Sequence, residues 1–351
     1  MTDDKSKRIE TLNDVKKYQP EKERLFYSAT HEEILLGLTA DVYFVKAREI
    51  LRGSKKQNSV VTAEVFPRKG GLMAGNDEVL SLLKDMPLRV WAVPEGEAFE
   101  SKEVIMRIEG PYKDFGIYET AMLGTLASSC GWATAAQECK KAAGEAGVLA
   151  FGARHVHPAV APVMERAAMV GGADGASCIL GAKFMEEEPL GTLPHAIFLV
   201  VGDTVEVAEI YNEILPPDAA RLILVDTFKD EAEESLRVAD ALKDKLEGVR
   251  LDTPSERGGV TPELVNEVRC RLDQAGYSHV KVFVSGGINP DRILSLRKAG
   301  ADAFGVGSYI SGASPIDMTM DLKEVDGKPI AKRGRIPGIT KNEKLVSVKE
   351  G

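Results

Sequence analysis

From residue 148 onward, short apolar runs alternate with amphipathic stretches, and this rhythm limits the fold more than any other feature of the 351-residue chain. The runs are VLAFGAR, ASCIL, LILVD, VRLD, VKVFVSGG and AFGVGS. Strands that alternate with helices imply a parallel sheet. Six of them in about 160 residues, with one crossover direction, suit a closed or incomplete β/α barrel better than an open sheet.

The chain before that point is built differently. Residues 1–30 read as a polar arm, and LLGLTADVYFVKAREILR carries apolar residues at helical spacing. Between residues 60 and 110, the runs VVTAEVF, RVWAVPEG and EVIMRIEG are separated by Pro and Gly and predict strands. A helix is expected over residues 115–143. The tail MDLKEVDGKPIAKRGRIPG returns to strand character around a DG turn and is expected to pack on the N-terminal strands. Its basic run, Lys332, Arg333 and Arg335, suits a solvated edge strand and a ligand-facing one equally.

Charge and cysteine content exclude several function classes. Lys and Arg total 45 against 54 Asp and Glu, a formal charge of -9, which speaks against a nucleic-acid coat. Cys130, Cys139, Cys178 and Cys270 form no C-x-x-C pair, so neither a zinc knuckle nor a disulfide framework is expected. The N-terminal residues are charged throughout and lack a signal-peptide pattern, and Gly116 to Ala136 is too polar to span a membrane. A cytoplasmic setting is the expectation, with 116–136 a buried or interface helix.

In a β/α barrel the reactive groups collect at the C-terminal ends of the strands. Arg154 closes the first run, Asp174 and Ser177 flank the second, and Asp226 closes the third, with Thr227 after it. Arg250 and Asp252 end the fourth. The last two runs end in Ser285, Gly286 and Gly287, and in Gly305, Gly307 and Ser308. Two glycine-rich strand ends in succession, each opening a helix, suit a phosphate, and the last two loops of a barrel often hold one. Arg154 and Arg250 can grip anions, while Asp226 and Asp252 can hold Mg²⁺ or sugar hydroxyls; either arginine could instead neutralise an aspartate. Among the histidines, His195 in GTLPHA stands out, His155 and His157 could ligate a metal as an H-x-H pair, and His279 precedes a strand at the stability face.

The segments TADVYF, VWAVPEG, MRIEGPYKDFGIYETAMLG, FGARHVHP, GADGASCILGA, GTLPHA, LVDTF, VRLDTPS, VFVSGGI and FGVGSYIS occur in the order of one family. From about Thr39 to Gly338 the chain resembles nicotinate phosphoribosyltransferase, of the type II phosphoribosyltransferases. The resemblance implies an α/β fold: an irregular β/α barrel, here residues 144–319, with an N-terminal α/β domain, 1–143, completed by 320–351. It implies transfer of phosphoribosyl from PRPP to nicotinate in NAD salvage, with ATP as coupled cosubstrate and Mg²⁺ as cofactor, in homo-oligomers built from dimers with shared active sites. Under the resemblance Asp252 is the ribose or metal partner; no separate set of protein metal ligands, no nucleic acid and no membrane are expected.

By the same resemblance His195 takes the phosphate of ATP, and Arg250 and Asp252 serve the reacting groups. Arg154, Asp174, Ser177, Asp226 and Thr227 bind substrate, and Tyr43 stacks on the pyridine from a neighbouring subunit. Ser285, Gly286, Gly287, Gly305, Gly307 and Ser308 cradle phosphate. A pyridine nitrogen carries no proton to remove, so alignment and stabilisation of the leaving diphosphate suffice. Quinolinate or nicotinamide as the acceptor, a metal-dependent hydrolase on His155 and His157, and a non-catalytic binding protein are the alternatives; the GT-x-x-H segment with His195 speaks against quinolinate.

Overall fold

The computed structural model describes residues 8–54, 56–216 and 219–351. Its chain divides into two compact units, Met1–Gly131 with Ser314–Gly351, and Trp132–Ala313. The first division therefore falls at 131 rather than 143, inside the helix Glu119–Ala143. One continuous helix feeds two cores, because Met122, Leu126 and Cys130 are buried in the first and Ala136, Cys139 and Ala142 in the second. The return crossing lies at 313, six residues before the expected one.

In chain order the first unit contributes β1 (Val60–Pro67), β2 (Gly71–Leu72), β3 (Arg89–Ala92), β4 (Ala98–Phe99) and β5 (Met106–Pro111). The second holds β6 (Gly147–Ala150), β7 (Gly175–Ala176), β8 (Leu222–Leu224), β9 (Gly248–Leu251), β10 (Lys281–Val284) and β11 (Ala303–Val306). The tail returns to the first unit as β12 (Met318–Val325), β13 (Lys328–Pro329) and β14 (Val346–Lys349).

The first unit is an antiparallel sheet in the order β13-β12-β1-β5-β3-β14, so the tail supplies half of its strands. Its DG turn places Asp326 at φ 50° and Gly327 at φ 73°, the two positive values that a tight hairpin of this hand demands. Arg335 pairs with Asp321 at 3.1 Å and lies over the Phe66 ring, which makes it part of the sheet face, whereas Lys332 and Arg333 are exposed. The helix expected over 35–52 is two, His31–Leu35 and Val42–Gly53, separated where Gly37 adopts φ 80°. Residues 1–7 of the polar arm lie outside the described residues; the part that follows buries Ile9 and forms a short helix, Leu12–Lys17, capped reciprocally by Thr11 and Asp14.

The second unit is a wholly parallel sheet in the order β7-β6-β11-β10-β9-β8. Read as a ring, each strand sits beside its neighbours in sequence, and only β7 and β8 remain unpaired among the described residues. The sheet is thus a curled half-barrel with a seam. The intervening chain is helical, Ile179–Lys183, His195–Val201 and Thr204–Ile214. The expected strand ASCIL shrinks to Gly175–Ala176, because Glu165 accepts the Cys178 N–H and turns the chain into the helix at Ile179.

Alternation along the strands sorts the side chains into two faces. Val148, Ala150, Val249, Leu251, Val282, Val284, Phe304 and Val306 belong to the core packed under the helices. On the concave side Phe151 lies 5.8 Å from Phe283, centroid to centroid, over Gly305. A Cβ at Gly305 would meet the Phe151 ring at 2.6 Å, so this glycine makes room for an aromatic. Gly305→Ala is expected to lower stability by about 1–3 kcal/mol through overpacking, read as a lower urea midpoint at unchanged m; an unchanged midpoint would show that Phe151 can move aside at no cost.

Candidate active site at the strand ends of the half-barrel

Arg250 organises the centre of the site. It stands one residue from the end of β9, level with Phe283 of β10, and points to the concave side. Its guanidinium donates to Ser285 Oγ from Nε (2.9 Å), to Thr192 Oγ1 from Nη1 (2.6 Å) and to Asp252 Oδ2 from Nη2 (2.9 Å). The Phe151 ring lies 5.5 Å beneath it. Burial pulls the Arg250 pKa down and Asp252 and Asp226 pull it back up, and a guanidinium stays charged throughout. Ser285 completes the triangle by donating to Asp252 Oδ1 at 2.8 Å.

Beside that triangle the backbone turns into the left-handed region, with Gly286 at φ 89° and Gly287 at φ 63°. Only glycine holds both without strain, and both are exposed, so the SGG turn offers open backbone at the end of β10. Gly307 has a different reason to be glycine: a Cβ there would meet the His155 ring at 2.7 Å. Ser308 is exposed at the head of the four-residue helix Ser308–Ser311.

The seam carries the second half of the site. His195 opens the helix after Pro194, and its Nε2 lies 3.0 Å from Asp226 Oδ2 at the end of β8. The Asp226 side chain is 1% exposed and that of His195 40%. Burial raises the Asp226 pKa, with the His195 contact opposing. A carboxylate on Nε2 leaves Nδ1 as the ring atom with a free lone pair, the polarity of a positioned nucleophile. Asp226 Oδ1 and Thr227 Oγ1, in adjacent residues, are both buried without a hydrogen-bond partner.

Arg154 lies on the turn Ala153–His155 after β6, exposed and with no ion pair among the described residues. Its Nε donates to His155 Nε2 (3.3 Å), His155 Nδ1 meets Ser311 Oγ (3.1 Å), and Ser311 Oγ donates to Gly307 O (3.1 Å). Both His155 nitrogens are therefore engaged, and His157 Nδ1 accepts from Ala159 N. No group of three metal-ligating side chains occurs among the described residues. The H-x-H pair is not built as a metal site.

Two sequence assignments move. Asp174 precedes β7, accepts from Val148 N at the start of β6 and pairs with Lys140 at 2.7 Å, so it closes the opposite end of the sheet. The two residues flank the strand in sequence, and the resemblance grouped both with the substrate, but the two flanks of a strand lie at opposite ends of the sheet. Ser177 is at the correct end, yet its hydroxyl proton goes to Glu165 (3.1 Å) and is not offered to a ligand. Tyr43 is 57% exposed on the first unit's helix Val42–Gly53.

Sequence reasoning missed Thr192, Phe151 and two buried glutamates. Glu165 holds the loops after β6 and β7 through Ala153 N, Ser177 Oγ and Cys178 N. Glu231 accepts from Thr253 Oγ1 at 2.7 Å and so ties the loops after β8 and β9. For Glu165 the available signal was a lone acid within an apolar helix, APVMERAAMV; Glu231 stands among other acids in EAEESLRVADAL and carries no such signal.

Comparison with known proteins identifies the family of the two domains. Residues 41–130 match the quinolinate phosphoribosyl transferase N-terminal domain and residues 132–321 its C-terminal domain. A nicotinate phosphoribosyltransferase of Mycobacterium tuberculosis is 30% identical over 269 residues, 73% of this chain and 56% of the relative; one of Bacillus subtilis is 30% identical over 63% and 45%. The chain thus spans about half the length of these curated relatives. A crystal structure of nicotinate-nucleotide pyrophosphorylase from Pyrococcus furiosus aligns with a TM-score of 0.86 and 45% identity, covering 90% of this chain and 82% of that one. Human nicotinic acid phosphoribosyltransferase shares the fold, with a TM-score of 0.65 at 17% identity over 86% and 77%. With both domain models matched in order over most of its length, the chain belongs to the quinolinate phosphoribosyl transferase family of type II phosphoribosyltransferases.

Proposed function

We propose that this protein transfers the phosphoribosyl group of PRPP to nicotinate, giving nicotinate mononucleotide and diphosphate in NAD salvage, with ATP hydrolysis coupled to the transfer. The pyridine nitrogen forms the new bond to the anomeric carbon as the bond to the diphosphate oxygen breaks. No proton leaves the nucleophile, so the site needs alignment and charge stabilisation and no strong base.

The observation that carries the reading is the division of the strand-end cations. Arg250 is committed to Asp252, Ser285 and Thr192, whereas Arg154 has no acid of its own. One uncommitted guanidinium suits one ring carboxylate. The open Gly286–Gly287 backbone suits the 5′-phosphate, and the orphaned Asp226 and Thr227 atoms suit ribose hydroxyls. His195, with Nδ1 free, suits a phosphoryl acceptor from ATP. Mg²⁺, when bound, would neutralise the diphosphate, and Asp226 and Asp252 are the carboxylates at these strand ends that would face it. The exposed Tyr43, and the exposed Leu199 and Val200 beside His195, support a homo-oligomer built from dimers in which a neighbouring subunit completes the site.

Quinolinate is the second reading, favoured by the matching domain models and by the name of the Pyrococcus furiosus relative. It would release CO₂ as well as diphosphate. The test is PRPP with nicotinate, nicotinamide or quinolinate in parallel, with and without ATP, scored for mononucleotide, ADP and CO₂. Nicotinate turnover stimulated by ATP, without CO₂, is expected; turnover of quinolinate alone would overturn the nicotinate reading.

A further inference from the structure

Glu165 is wholly buried on the helix Ala161–Val170 and pairs with no cation among the described residues. An uncompensated carboxylate in such a place is costly, and the fold keeps it only if its oxygens are well used. They are. Oε1 accepts from Ala153 N at 3.1 Å and from Ser177 Oγ at 3.1 Å, while Oε2 accepts from Cys178 N. All three donors belong to the two strand-end loops after β6 and β7, and Ala153 is the residue next to Arg154.

We propose that Glu165 is a positioning residue for ligand recognition, which sets the place of Arg154 through the Ala153 backbone, the Ser177 hydroxyl and the Cys178 N–H holding the Glu165 carboxylate in place. The inference rests on the assignment of Arg154 to the substrate carboxylate. A carboxylate is the one side chain of this length that accepts on both ends at once; an amide would present its NH₂ to a backbone N–H and turn one contact into a clash of donors. With the Ser177 proton held by Glu165, Arg154 is the donor in this corner. Burial raises the affinity of Glu165 for a proton and the donors oppose this, which is the balance expected of a carboxylate kept for its acceptors.

A double-mutant cycle tests the proposal on the full chain: nicotinate KM and kcat for wild type, Glu165→Gln, Arg154→Ala and the pair. Glu165→Gln is expected to raise KM by about 10-fold or more with a smaller change in kcat, because misplacing one binding group weakens recognition before chemistry. In the Arg154→Ala background the same change should add nothing to KM. A merely structural role predicts the same factor in both backgrounds, and that outcome overturns the proposal. If Arg154→Ala leaves nicotinate KM unchanged, the substrate assignment of Arg154 fails first and takes this inference with it. Should Glu165→Gln not fold, Ser177→Ala removes one of the three bonds and is expected to give a smaller rise in KM that likewise vanishes without Arg154; an equal rise in both backgrounds again overturns it.

Discussion

Arg250→Ala is expected to lower kcat/KM by about 10²–10³-fold, the scale of losing a preorganised charge at a developing anion. The side chain makes three charge-assisted bonds and rests on an aromatic ring, so its removal strips Asp252, Ser285 and Thr192 of a shared partner. Stability should fall as well: Asp252 is left as a largely buried carboxylate with only Ser285 opposite, a loss of about 1–3 kcal/mol. Arg250→Lys should restore little, because a single ammonium cannot reproduce three divergent donors. Steady-state kinetics and urea unfolding on the same preparations check both halves. Wild-type efficiency in the alanine variant would remove Arg250 from the site.

The second large effect concerns His195. Replacement by alanine is expected to abolish nicotinate-dependent ADP release while leaving a slow transfer that ATP no longer stimulates, since phosphoribosyl chemistry needs only alignment and charge stabilisation. Asp226 holds Nε2, so the phosphate should form on Nδ1, and the side chain is exposed enough for ATP to reach it. Incubation with γ-labelled ATP should label the wild type in an acid-labile, alkali-stable form and leave the variant unlabelled. Equal labelling of the two proteins would send the phosphate elsewhere. Because the histidine lies on the open seam and not inside a core, the variant should keep its fold, and the loss can be assigned to chemistry.

Much of this architecture is legible in the sequence because its signals are local. Each apolar run of four or five residues reports a strand, each amphipathic stretch a helix, and their alternation a parallel sheet. Arg250, Asp252 and Ser285 could be gathered on paper because each ends a strand, and strand ends in such a sheet share one rim. The failures have one cause. Gly305 and Gly307 look alike in FGVGSYIS, but one makes room for Phe151 and the other for His155, and what presses on a glycine is not written beside it. Asp174 and Ser177 stand three residues apart and serve opposite ends of the sheet.

The succession of strands and helices, the return of the tail to the first sheet and the glycine turn after β10 were therefore legible in the sequence, since backbone propensity and side-chain periodicity act over a few residues. Tertiary structure alone decided which cation stays uncommitted, which hydroxyl has already given its proton away, and that β7 and β8 do not pair. Those outcomes depend on contacts between groups far apart in the chain: Arg250 with Thr192, Glu165 with Ser177, and His195 with Asp226 across the seam. Hydrogen bonds fall off within a few tenths of an ångström of their optimum, so the chemistry of the site waits on distances that only the folded chain defines.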